Sequence, residues 1–374
     1  MPAHLPAQFP GVRLLGDALA GWRGLGRFWA GLILLLAIGA GVLEALGSAP
    51  EPVITAVARA VHVDPVPAER GPAEAKAHGA ASAAAHAALH PGRPGRDLPG
   101  PVADPDPALL VPYPGEGNFK LPRIAVDGGA PMAMYAAGFD PSSVRPRVGL
   151  VVAGIGMSEA DSLAAIKDLP GGVTLAVSPY AGDISHLLDL ARMTEHEFLL
   201  EIPMEPQEYP VNDPDDRHAL MTSLPPAENL DRLRWVLSRL TGYVGVTNAL
   251  GQMRGERLVG VPDQLASVLE EVGHRGLLFV DARTAMPGLP YVWNRAVDLV
   301  IDDDPVDAAR LDQRLDSLSH AALDKGSALG IVWLPRPVTL SRVAAWTNTL
   351  AAKGLALAPV SAISLPPAKP EAEK

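Results

Sequence analysis

Six polar residues close apolar runs in the C-terminal two thirds of the chain, and their types suit acid–base chemistry. Glu201 ends FLLE, Glu205 lies in the following PMEP, Asn248 ends GVTN, Asp281 and Arg283 flank Ala282 after LLFV, and Asp302 ends LVID. Two carboxylates held at a defined separation perform general acid–base or glycosidic chemistry, one protonated as the acid and the other ionised. Glu201, Glu205 and Asp281 are the candidate catalytic acids. Asn248, Arg283 and Asp302 are the candidate ligand contacts, with Arg254 and Arg336 able to balance charge. A structural assignment competes: Asp281 pairs with Arg283, and Glu205 caps a loop or a backbone amide. Linear spacing leaves both open, because convergence belongs to the fold.

Other chemistries are excluded more firmly. The sequence has no cysteine, which removes thiolate catalysis, disulfides and Cys-based zinc sites. His186, His196, His218, His274 and His320 form neither H-x-x-x-H nor H-E-x-x-H, and no G-x-S-x-G elbow exposes a serine. His274 and His320 fall on the solvent faces of helical stretches. His196 and His218 fall near the expected ligand mouth, as solvated loop residues. A net charge of −11 without any basic run argues against nucleic acid as a partner.

The elements that must position these residues are regular from Arg147 onward. Apolar runs at 148–152, 173–177, 198–202, 243–246, 277–280, 299–301, 329–333 and 355–358 read as buried strands. Helical stripes lie between them, among them Leu230-Leu233-Val236-Leu237-Leu240 and Leu265-Val268-Leu269-Val272, and the last stripe stops before Gly354. Strands alternating with helices predict a mostly parallel α/β sheet, and their number in this length suits a barrel. Ligands of such folds bind at the C-terminal ends of the strands, where all six polar residues fall.

The first strand breaks into the glycine turn of RVGLVVAGIGMSEAD. A dinucleotide loop needs a third glycine and a distal acid, and this one has Met157-Ser158-Glu159 and then Ser178-Pro179 instead. Ser158 and Asp161 read as a helix cap.

Ahead of the barrel, Arg13, Arg23 and Arg27 precede an uncharged run from Phe28 to Leu43. Residues 1–27 are expected in the cytoplasm, 28–48 as a transmembrane anchor or signal sequence, and the rest exported. Residues 49–120 are rich in Ala and Pro and read as a linker, in which His78, His86 and His90 are incidental. The domain is expected over 121–365, beginning with an extended lead-in from Leu121 to Phe139, and 366–374 as a disordered tail.

The segments VGLVVAGIG, LPGGVTLAVSPYA, LLEIPMEP with YPVNDP, GYVGVTNALG, RGLLFVDART and KGLALAPVSAI resemble, in this order, the divergent polysaccharide deacetylase family. That family is related to the NodB-type carbohydrate esterase and chitin deacetylase barrels. The resemblance spans roughly Leu121 to Ile363 and implies a distorted (β/α) barrel at the bacterial envelope, acting in polysaccharide metabolism. Family members typically end the first strand with paired aspartates that help hold a divalent metal; here Ala153 and Gly154 stand there. Glu201 replaces a usual histidine, Thr247-Asn248-Ala249 replaces Asn-Asn-His, and Trp333-Leu334-Pro335 replaces Gly-His-Pro. No cofactor is therefore expected, since Glu201 and Asp281 alone would give a hard cation only a weak site. The expectation is an inner-membrane, single-pass protein whose periplasmic barrel binds an envelope glycan or an envelope protein. The alternative is a glycan deacetylase or hydrolase that uses the remaining carboxylates.

Overall fold

The computed structural model describes Trp29 and residues 93–97, 100–115, 117–215, 217–304 and 306–368. The expected anchor apart from Trp29, most of the linker and most of the tail lie outside these residues. Among the described residues no helix is long and apolar enough to cross a membrane. The chain divides into two compact units, 1–69 and 70–374, and every element named below belongs to the second.

A short antiparallel pair, β1 (Leu110–Pro112) and β2 (Lys120–Pro122), leads to the one-turn helix α1 (Pro131–Met134). The barrel then begins with β3 (Arg147–Ile155), α2 (Glu159–Asp168), β4 (Thr174–Val177), α3 (Ser185–Met193) and β5 (Phe198–Glu201). It continues with α4 (Pro226–Leu237), β6 (Gly245–Thr247), α5 (Glu256–Val259), α6 (Pro262–His274) and β7 (Leu278–Thr284). The last elements are β8 (Asn294–Val297), β9 (Leu299–Val300), α7 (Ala308–Lys325), β10 (Ser327–Val332), α8 (Pro337–Thr347), β11 (Ala356–Leu357) and α9 (Val360–Ile363). Several helix starts are written in the sequence. Pro226, Pro262 and Pro337 open α4, α6 and α8, where a missing N–H leaves nothing unbonded. Asp307 caps α7 through the Arg310 amide at 2.9 Å, and Gly326 ends it in the left-handed region.

The strands are parallel and ordered β8-β7-β6-β5-β4-β3-β10-β9, with β11 beside the start of β3. The two ends of that order are halves of one extended segment, residues 294–300. β8 pairs with β7, β9 pairs with β10, and Asp298 stands between them. The Asp298 amide donates to the Leu329 carbonyl at 2.8 Å, while its carboxylate accepts the Leu329 amide at 2.9 Å. The result is a nearly closed barrel, as the alternation of strands and helices predicts.

Strand parity divides the core into two layers. Leu150, Val152, Phe198, Leu200 and Phe279 pack outward against the helices. Val151, Ala153, Leu199, Leu278, Val280 and Ile331 fill the barrel interior. The interior layer also includes Met132, Met134, Tyr135 and Ala137 of the lead-in, which packs as a buried turn of helix rather than an extended strip. Folded structure begins earlier than residue 121, because Val102 and Leu109 are buried and Asp106 caps a short 3-10 turn at 107–109.

Candidate functional site

Parity decides which acids enter the barrel. Leu199 points inward, so Glu201, two residues on along β5, caps the same interior column, level with Thr247 of β6. Asp281 follows Phe279, which points outward, and so does not face the interior. The distances follow this division.

Glu201 is fully buried. Its Oε1 accepts the Gly154 amide at 2.7 Å, and its Oε2 has no partner. Burial, opposed only by that amide, pushes its carboxyl up from about 4.5 to about 8. Glu201 is therefore largely a neutral acid at neutral pH. It lines an open cavity of about 710 Å³ at the strand ends, together with Gly154, Met157, Ser178, Leu250 and Leu334.

The other predicted acids are used by the scaffold. Glu205 accepts the Thr222 amide and hydroxyl, both at 2.6 Å, and pairs with Arg257 at 2.9 Å. Asp281 takes a two-pronged grip from Arg283, with its Oδ2 at 2.7 Å from Nη2, and also accepts the Arg283 amide. Asn248 donates to the Arg254 carbonyl at 2.7 Å and accepts from the Ala282 amide at 2.8 Å, tying β6 to β7. Asp302 accepts the Trp333 and Leu334 amides beyond β10, and burial raises its carboxyl against their pull. The structure thus brings Glu201 alone of the three catalytic candidates into the cavity.

The glycine turn is fixed from both sides. Gly154 has φ +76°, and a β-carbon there would lie 2.8 Å from the Leu334 side chain. Gly156 has φ +91°, and its β-carbon would meet that of Ala181 at 2.4 Å. Their amides go to Glu201 and to the Ser162 hydroxyl, so neither is available to a phosphate. Ser158 caps α2 through the Asp161 amide.

Two histidines differ from their expected settings. His196 lies before β5, hence at the end of the barrel away from the mouth, and it is buried. Its ring nitrogens face the Val173 and Ile166 carbonyls at 2.8 and 3.3 Å, and burial lowers its pKa. His218 does lie beside the mouth but is not simply solvated. It stacks on Trp235 with ring centroids 3.6 Å apart and contacts Asp215 at 2.9 Å.

The rim carries residues that linear spacing did not single out. Tyr180, Asp213, Asp215 and Arg217 all line the cavity. Burial raises the Tyr180 phenol, helped by Asp215, and its hydroxyl donates to the Pro214 carbonyl at 3.3 Å. Burial also acts upward on Asp215, but hydrogen bonds from His218 and the Arg217 amide outweigh it and hold the carboxyl low. Tyr180 lies in SPYA and Asp213 in YPVNDP, both visible as segments of the sequence, and Asp215, just after the second, turns the chain at φ +102°.

Residues 150–364 match the model of the divergent polysaccharide deacetylase family. The chain belongs to that family. Among solved structures, an uncharacterized protein from Agrobacterium tumefaciens C58 is similar at 30% identity and a TM-score of 0.59, covering 66% of this chain and 99% of its own. A putative polysaccharide deacetylase from Mycobacterium smegmatis is similar at 12% identity and a TM-score of 0.41, over 64% of this chain and 98% of its own. No curated protein matches the chain. In this member of the family, β3 reaches the mouth with Ala153 in the interior core and Gly154 bonded to Glu201. Among the described residues no three His, Asp or Glu side chains are gathered as a metal-ligand group.

Proposed function

We propose that this chain uses the deacetylase barrel to bind an envelope glycan at the strand-end cleft, without metal-assisted deacetylation. The observation that carries this reading is Glu201: a buried, neutral acid with one unpartnered oxygen, lining an open cavity. Ala153 and Gly154 offer no donor side chain where the family resemblance expects metal-holding acids. Glu205 and Asp281 are committed to Arg257 and Arg283. The donors left at the mouth do not fit a divalent ion, which needs several oxygen or imidazole ligands converging on one point. In our reading a neutral Glu201 orients a bound ligand as a hydrogen-bond donor, which suits a sugar hydroxyl or acyl oxygen better than a cation. The apolar run at 28–43 supports placing the barrel outside the bacterial inner membrane on a single-pass anchor.

A hydrolytic reading keeps one supporting feature, since a neutral Glu201 is also a competent general acid. Its second carboxylate would have to be Asp213 or Asp215 on the cavity rim, not Glu205 or Asp281.

The test is metal analysis of the full-length protein, combined with acetate-release assays and calorimetry on acetylated chito- and peptidoglycan oligosaccharides. We expect saturable binding that is weakened at least tenfold by Glu201→Leu, with neither stoichiometric metal nor acetate. Stoichiometric metal together with acetate turnover would overturn the proposal. Release of reducing sugar lost in Glu201→Gln would favour the hydrolytic reading.

A further inference from the structure

The cavity is poorly matched to a bare sugar. Met157, Pro214, Leu250, Met253 and Leu334 all line it, and apolar atoms make up the larger part of its surface. A polyol pressed against such side chains would lose water without gaining partners for its hydroxyls. The polar groups that do line the cavity are mostly occupied. The Ser178 hydroxyl accepts the Tyr180 amide, Tyr180 donates to the Pro214 carbonyl, and Asp213 accepts the Asp215 amide. Asp215 is held by His218 and the Arg217 amide. Among the described residues lining the cavity, Glu201 Oε2 is the buried side-chain atom without a partner. The volume of about 710 Å³ is within the range of small-molecule sites, roughly 300–1,000 Å³, and far exceeds the need of a single acetyl methyl.

We propose that the cleft is an acyl-binding site: it takes an apolar chain longer than acetyl, joined through an amide or ester whose carbonyl oxygen accepts a hydrogen bond from Glu201. This rests on the reading of the cleft as a ligand site and names the part of the ligand that enters it. The match is one acceptor to one donor, with apolar surface to apolar wall. Gly154 completes it from the protein side, because its amide occupies Oε1 and leaves Oε2 for the ligand. No covalent step is involved. A cationic head group would require ionised Glu201, and the shape of the site, with no basic partner bonded to that carboxyl, does not hold it ionised.

The test is calorimetric titration of the full-length protein with N-acylglucosamines of increasing chain length, from acetyl through hexanoyl to decanoyl, well below and well above pH 8. The other charged or titratable groups lining the cavity are Tyr180, Asp213, Asp215 and Arg217, and none of them is among the groups that shift Glu201. Each buried methylene should tighten binding by up to about fourfold. Wild-type affinity should fall as pH rises through about 8, when Glu201 loses its proton. Glu201→Gln, whose amide can still donate, should keep the affinity and lose that pH dependence; Glu201→Leu should lose at least tenfold. Leu250→Asp should flatten the chain-length series, which separates the cleft from general partition into detergent or surface patches. Affinity independent of chain length, or binding that strengthens with pH, would overturn the acyl assignment. Acetylated oligosaccharides that bind in that case leave the glycan reading standing; failure of every probe, oligosaccharides included, removes both.

Discussion

Two glutamates at opposite ends of one strand show how burial alone differs from a site. Glu197 immediately precedes β5 and Glu201 ends it. Both are completely buried, and burial pushes both carboxyls upward. Glu197 meets four donors: the Ala137 amide at 3.1 Å, the Thr174 hydroxyl at 3.0 Å, and the Ser361 amide and hydroxyl at 3.1 and 2.6 Å. It thereby ties the lead-in, β4 and α9 together across the end of the barrel away from the mouth. Glu201 meets one donor, keeps one buried oxygen without a partner, and lines a cavity. A satisfied buried acid is architecture, whereas an unsatisfied one that lines a cavity is the group the proposed site assigns to its ligand.

The contrast can be broken from either end. Glu197→Ala should give the largest effect, since it strands four donors and leaves a hole; we expect at least about 4 kcal/mol of destabilisation in chemical denaturation. Glu201→Gln should act in the opposite sense. Because the folded carboxyl titrates near 8 and the unfolded one near 4.5, the native state binds the extra proton between those values. Stability is thus full below about 4.5 and falls as pH rises towards 8, by up to about 1.4 kcal/mol per unit. The glutamine variant should remove this slope and be more stable than wild type by about 3 kcal/mol at neutral pH. A variant that follows the wild-type profile would show that Glu201 is not the titrating group.

Asp281 sharpens the same comparison at the mouth. If it is part of the scaffold, Asp281→Ala should cost about 2 kcal/mol, reduced by the partial exposure of Arg283, and leave ligand affinity within about twofold. Loss of binding without loss of stability would return Asp281 to the site. The smallest expected effect is Ser158→Ala, about 1 kcal/mol from the lost cap of α2, with binding unchanged.

The barrel was legible wherever strands are apolar throughout. Runs at 148–152, 198–202 and 329–333 fall within or across β3, β5 and β10. β8 left no such run because Asn294 and Val297 are buried while Arg295 and Ala296 are half-exposed. Its strand nature comes from pairing with β7, not from its own pattern. The inward position of Glu201 was not readable from FLLE, because both faces of that strand are apolar and buried; it follows from Leu199 packing in the barrel interior while Phe198 and Leu200 pack against the helices. Nor were the fates of Glu205 and His196 readable. Glu205 is satisfied by Thr222 and Arg257, 17 and 52 residues away, and His196 by carbonyls 23 and 30 residues away. Such partners are fixed by chain topology, which local spacing does not encode.

The proposed site stands on Glu201 being a neutral, underbonded acid at the strand ends of the barrel. Its most direct test is a titration of that carboxyl in the full-length protein, by carbon NMR of labelled glutamate with Glu201→Gln to assign the signal. We predict a midpoint near 8, moving higher when an acylated ligand is bound. A midpoint near the ordinary 4.5 would contradict the account, because an ionised Glu201 must already have partners or water that the proposed site reserves for its ligand.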